Sequence, residues 1–206
     1  MRTKSIGIVT FPINKNGITP LSNLVDIVSR LCTKTYLITG GEGYNHFQND
    51  PRLTIYNFNH TGSHCFLIRI FKFLTIQLQM AKTVIMSRHE VARWVFFIGG
   101  SSLIIPLISA KLVGKKTYIL LAGSEEKSAD IAYNLFSRPV KLLISTGYSI
   151  VDNIVIYSAS LIQTWDLTMY RDKILIAHEH FFDLKALTVT TPLLDRPSAI
   201  GYIGSL

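Results

Sequence analysis

Seven apolar, β-branched runs recur along the chain, at residues 5–11, 35–40, 53–58, 94–99, 116–123, 153–158 and 173–179. They are continuous, as in "SIGIVTF" and "KTYILLAG", rather than alternating apolar with polar. A strand with one face in water alternates, so continuous apolar runs mean strands covered on both faces. Stretches of helical character separate most of the runs, at 20–32, 65–82, 101–113, 125–150 and 159–166. Strands joined by helical crossovers pair in parallel, so the expected fold is α/β: a Rossmann-like, doubly wound parallel sheet flanked by helices.

Local punctuation agrees. Pro20 and Ser22 in "TPLSN" mark a helix start. Gly114 in "VGKK" stands where a helix hands over to a strand, with lysines near the negative end of the helix dipole. Pro139 bends or splits the helix that begins near Ser128. Beyond it the pattern fades into "LKALTVTTPLLDRP", with two prolines and no period. Residues 1–183 therefore read as one domain, 184–197 as a linker, and 198–206, ending "IGYIGSL", as the first strand of a further unit.

Hydrophobic residues make up 48% of the chain and charged ones 17%, enough apolar surface for a core. Lys and Arg outnumber Asp and Glu by 21 to 13, a formal +8. The basic residues cluster: Arg69, Lys72, Lys82, Arg88, Arg93, Lys111, Lys115 and Lys116. Such a surface attracts phosphate, whether of nucleic acid, anionic lipid or a nucleotide. Nucleic acid is set aside as a partner, because no binding-motif signature and no Arg-rich run interleaved with aromatics is present. Cys32 and Cys65 in apolar contexts fit reduced thiols and a cytoplasmic location. "MRTKSIGIVTF" reads as a first strand, not a signal peptide.

Two stretches raise the question of membranes. Residues 94–110 carry no charge over 17 residues, the lower edge of a bilayer span. Gly99-Gly100-Ser101-Ser102 and Pro106 divide that stretch into a strand, a turn and a helix start, which is the reading adopted over a spanning helix. In 66–82, Arg69, Lys72, Thr75, Gln79 and Lys82 form one polar stripe on a helix otherwise apolar. Two compatible readings stand for its wide apolar face. One packs it on the sheet; the other rests part of it on a membrane near anionic lipid, a peripheral contact on the inner face.

Ligands of open parallel sheets bind beyond the C-terminal ends of the strands, where loops and helix N-termini present free N–H groups. Three loops fit: "FPINKNGITP" with Asn16 and Gly17, "GGSSL" with Gly99, Gly100 and Ser101, and "AGSEEKS" with Gly123 and Ser124. The glycines allow close backbone approach, and the serines supply hydroxyls or N-caps; a plain turn-and-cap role accounts for the same residues. G-x-G-x-x-G, the P-loop and G-x-S-x-G are all missing, so neither a dehydrogenase, a P-loop NTPase nor an α/β-hydrolase is supported, and no cofactor is expected. His178 and His180, with Asp183, point to one side but lack a third or fourth ligand partner, and "HTGSHC" with His60, His64 and Cys65 reads as a turn, so no metal is expected either. Glu125 and Glu126 open a helix, where negative charge is favourable whatever their function.

From Ser128 onward the chain resembles the N-terminal half of family 4 glycosyltransferases with the GT-B fold. "YSIVDNIVIYSASLI" is similar to the element in which a long helix ends in Ala-Asp and a strand ends in Ser, with Asp152 and Ser158 at those positions. "KILIAHEHFFD" resembles the strand and turn that usually end Pro-Asn-Gly-Val-Asp, with Asp183 last. "RPSAIGYIGSL" resembles the start of the C-terminal domain, and "GGSSLIIPLISAKLVGKKTYILLAGS" the fourth and fifth strands with their helix. The resemblance implies two Rossmann-like domains about a cleft, the acceptor mainly on the first and a nucleotide-sugar donor on the second, without a metal. A glycan or lipid-linked acceptor would suit the basic, amphipathic surface, and His180 would join the substrate-binding loops. The sequence departs from the family at several points. Ile98-Gly99-Gly100 stands where many members carry a His, His180-Phe181 where Asn-Gly is usual, and Ser205 where an Arg contacts phosphate. Transfer by this chain alone is therefore not expected. The alternative is a non-catalytic module that binds acceptor or membrane and works with a separate donor-binding subunit.

Overall fold

The computed structural model describes residues 3–58, 65–124 and 137–177. Among them, seven strands form one parallel sheet: β1 (Thr3–Thr10), β2 (Cys32–Thr39), β3 (Leu53–Asn57), β4 (Arg93–Phe97), β5 (Lys116–Leu120), β6 (Asn153–Ile156) and β7 (Ile174–Ile176). Their order is β3-β2-β1-β4-β5-β6-β7. All seven expected strands are present, and the doubly wound architecture is the one the continuous apolar runs require. The linker and final strand expected at 184–206, with His178, His180 and Asp183, lie outside the described residues. So do His60, His64, Glu125 and Glu126.

The longer helices each bury one stripe. Helix α1 (Ile18–Leu31) buries Leu21, Leu24, Val25 and Val28, three and four residues apart, against the face carrying Ile8, Leu37, Phe97 and Leu120. The opposite face, with Val9, Trp94, Phe96, Ile119 and Ile154, is covered by α3 (Phe66–Met86), α4 (Ile104–Leu112) and α5 (Ser137–Ile150). A short helix, α2 (Glu42–Phe47), follows β2. No helix is expected there from the sequence pattern. Its Gly43 is buried, and a Cβ there would come within 2.6 Å of Thr39 Oγ1. A four-residue helix, α6 (Leu161–Thr164), follows β6.

The uncharged stretch 94–110 resolves into β4, a 3-10 turn at Gly100–Ser102, and α4, whose N-terminal amide of Ile105 donates to buried Gln77 Oε1 at 3.0 Å. No helix among the described residues is long and apolar enough to cross a membrane. Helix α4 closes as its sequence predicts. Gly114 takes φ 72°, its amide donates to the Lys111 carbonyl, and the Lys115 amide reaches back to Ala110, a Schellman cap. Helix α3 runs four residues past its expected end, since neither Gly nor Pro interrupts it before Ser87.

Candidate functional site: the crevice between the β1 and β4 loops

Strand order reverses at β1, whose neighbours are β2 on one side and β4 on the other. The chain leaves these strands in opposite directions, which in open parallel sheets places the ligand crevice at their C-terminal ends. The β1 loop is fastened on both sides. The Phe11 amide donates to the Ile98 carbonyl at 3.2 Å, and the Ile13 amide to the Gly40 carbonyl at 3.2 Å. The Glu42 amide returns to the Ile13 carbonyl at 3.0 Å. Below the loop, Thr10 and Thr39 share a buried hydroxyl contact of 2.8 Å. The loop then makes a 3-10 turn at Lys15–Gly17, capped by Asn14 Oδ1, which accepts from the Asn16 amide at 3.1 Å. Gly17 is the N-cap of α1 and offers no side-chain acceptor; the Ile18 amide donates to the Lys15 carbonyl and Pro20 has no N–H, so the 3-10 turn runs directly into the helix at the sheet's ligand edge.

The β4 loop is held more tightly. Ile98 at φ 42° and Gly99 at φ 75° both enter the left-handed region, which ends the strand. For a β-branched residue that conformation costs on the order of 1–3 kcal/mol. Gly99 lies against Phe11, where a Cβ would come within 3.1 Å of the Phe11 Cβ; on Gly100 a Cβ would come within 2.7 Å of the Phe96 Cβ. Ser101 is fully buried, and Ser102 Oγ donates to the Gly99 carbonyl at 2.8 Å. Above the loop passes α5, whose Gly147 lies so close that any Cβ would overlap the Ser101 carbonyl.

Asn16, Gly17, Gly99, Gly100 and Ser101 are thus brought together at one edge, joined through the Phe11–Ile98 hydrogen bond. The glycines of the β4 loop serve close packing within the protein, the turn-and-cap role the sequence left open. Gly123 and Ser124 follow β5, next in the sheet, and a Cβ on Gly123 would meet nothing within 4 Å. His180 lies outside the described residues. Sequence reasoning missed Phe11, Gly147 and the strain at Ile98, which depend on contacts between residues far apart in the chain. Replacing Ile98 by Gly is expected to leave the unfolding free energy measured in urea within about 1 kcal/mol of wild type, because relief of strain offsets the lost half-buried side chain.

The ionisable groups with displaced pKa values among the described residues sit at the opposite edge. Burial raises the Tyr36 phenol, and its hydroxyl donates to Glu90; a hydrogen bond with Tyr36 raises Lys34. Arg52 donates to Asp50 and Asp26, and its bonds hold the Asp50 carboxyl low. At Asp152 burial pushes the carboxyl up but is outweighed by hydrogen bonds from Lys111 and Thr117, which leave it below the ordinary range. Asp152, placed by the resemblance at the end of the long helix, bridges the starts of β5 and β6. Displaced pKa values often mark chemistry. Here they mark the scaffold, and what the described ligand edge offers is loop backbone and neutral side chains.

A seven-stranded parallel sheet with this switch point is a Rossmann-like fold, and the solved structures it resembles make it GT-B-like. No protein-family model and no curated protein sequence matches the chain. Solved structures do. LpCGTa, solved in complex with UDP, shares 11% identity at a TM-score of 0.57, over 86% of this chain and 55% of that one. UDP-GlcNAc 2-epimerase from Methanocaldococcus jannaschii shares 14% at 0.55, over 84% and 45%. A UDP-glucosyltransferase from Polygonum tinctorium capable of glucosylating indoxyl shares 6% at 0.57, over 94% and 56%. The chain spans about half the length of these structures. At such identities the likeness establishes the fold alone.

Proposed function

We propose that this chain is the acceptor-binding portion of a glycosyltransferase, of the family 4 kind, that moves a sugar from a nucleotide-sugar donor to a glycan or lipid-linked acceptor. The observation that carries the reading is the switch point between the β1 and β4 loops, in a fold shared with solved structures whose names carry UDP or a UDP-sugar. Asn16, Gly17, Gly123 and Ser124 form the acceptor side, with His180 assigned to it, while Gly99, Gly100 and the buried Ser101 shape the β4 loop behind them. Donor contacts come from a second half of similar size, which the half-length match supports, so the 206-residue chain does not transfer sugar by itself. Catalysis would then consist of positioning and of stabilising the departing nucleotide diphosphate. The protein acts in the cytoplasm, with residues 66–82 against the inner membrane face.

Two measurements test this. On an array of glycans and lipid-linked glycans, the chain should capture a defined acceptor, and Asn16→Trp, at an exposed position of the β1 loop, should abolish capture without changing the melting temperature. With radiolabelled nucleotide sugars, the chain alone should show no turnover. Transfer at typical enzymatic rates, on the order of 1 per second or faster, would overturn the division of labour. Capture indifferent to Asn16→Trp would overturn the site. A fold equally matched by an epimerase favours a second reading, sugar-nucleotide epimerisation, which the same assay detects as a new nucleotide sugar with no acceptor product.

A further inference from the structure

Helix α3 divides into three lengthwise sectors. One carries Ile76, Gln77, Met80, Ala81 and Val84, all buried against the sheet and α4. The second is the polar stripe of Lys72, Thr75, Gln79 and Lys82. The third, at the four- and three-residue spacing of a single face, holds Leu67, Phe71, Leu74 and Leu78, and it is in water: Leu67 is 73% exposed, Phe71 71% and Leu78 59%. The wide apolar face seen in the sequence is therefore two faces, and the sheet uses only one. Among the described residues of α3, none before Ile76 is buried.

Charge is distributed just as unevenly. From Pro51 to His89 the chain has no Asp or Glu, and from Pro51 to Ser124 it has nine Lys and Arg against the single acid Glu90. The entire formal charge of +8 thus resides in residues 51–124, and the rest of the chain is neutral. An exposed apolar stripe beside a basic stripe, on a segment free of acids, is complementary to an anionic lipid surface. A second copy of the same face would bring like charges together.

Helix α3 begins at the sheet's ligand edge. Its Phe73 ring packs 6.0 Å from the ring of Phe11 in the β1 loop. We propose that α3 docks on an anionic bilayer through Leu67, Phe71, Leu74 and Leu78, and so holds the crevice between the β1 and β4 loops at the membrane surface. This deepens the membrane part of the reading above and is measured without any sugar. A donor-independent result therefore separates its failure from that of the transferase reading.

The test is flotation of the full chain with vesicles of phosphatidylglycerol and phosphatidylcholine, or of phosphatidylcholine alone. Binding is expected to the mixed vesicles, to fall steeply with salt, and to be weak on phosphatidylcholine. Replacing Arg69, Lys82 and Arg88 together by Gln should weaken it on the order of a hundredfold. Leu67→Glu with Phe71→Glu should weaken it to a similar degree, on the order of a hundredfold, from lost apolar burial. All five positions are exposed, so melting temperatures should match wild type and a loss cannot be charged to misfolding. The proposal is overturned by absent binding, by equal binding to both vesicle types, or by a dimer that Leu67→Glu and Phe71→Glu render monomeric in a chain that ignores vesicles.

Discussion

Gly147→Ala should destabilise the protein by about 3 kcal/mol and lower its melting temperature by about 10 °C. Helix propensity alone predicts the opposite sign, since Gly in a helix interior such as α5 costs roughly 0.5–1 kcal/mol relative to Ala. Tertiary contact decides otherwise. The new methyl would overlap the Ser101 carbonyl, a backbone atom that no rotamer change can move aside. Relief requires α5 to lift or the β4 loop to shift, and Ser101 is fully buried beneath it. The displacement should register locally as faster amide hydrogen exchange at Leu103, whose N–H donates to the Gly100 carbonyl at 3.1 Å. Gly123→Ala is the matched control: its methyl would enter open space, and a change within about 0.5 kcal/mol is expected. A stabilised Gly147→Ala protein would show that α5 does not press on the candidate site.

The contrast between these glycines explains which parts of the fold were legible in the sequence. Strands betray themselves through a local property, burial on both faces, and every continuous apolar run became one. Gly114 was legible for the same reason, because a helix stop followed by lysines is a local pattern. Gly99 and Gly100 were placed correctly at the end of a strand, but their use against Phe11 and Phe96 depends on residues brought near only by the fold. Gly147 carries no local signal at all. The same distinction holds on α3, where periodicity gave the polar stripe but could not reveal that one apolar sector would be buried and the other left in water. Asp152 was noticed through resemblance, while its partners Lys111 and Thr117 lie about forty residues earlier in the chain.

Asp152→Ala is the second change with a large expected effect. Its carboxylate accepts from the Thr117 amide at 2.8 Å, the Thr117 hydroxyl at 2.9 Å and Lys111 Nζ at 2.9 Å, so one side chain ties α4 and the start of β5 to the start of β6. Thr117 is fully buried, and removing the acceptor strands its amide. Hydrogen bonds to charged groups are worth about 1.5–3 kcal/mol each, so a loss of about 3 kcal/mol is expected in urea unfolding, with acceptor capture unchanged at the distant ligand edge. Asp152→Asn keeps an oxygen for Thr117 but not the charge, and should cost about 1 kcal/mol. The pH dependence has a definite sign. The folded carboxyl lies below its ordinary value of 3.8, so its contribution is complete above that value and disappears as pH falls through the lower, folded one. Wild type and Asp152→Asn should therefore differ in stability by a constant amount at neutral pH and converge only below about pH 4. Convergence nearer neutrality would mean that the Lys111 and Thr117 contacts do not hold the carboxyl low.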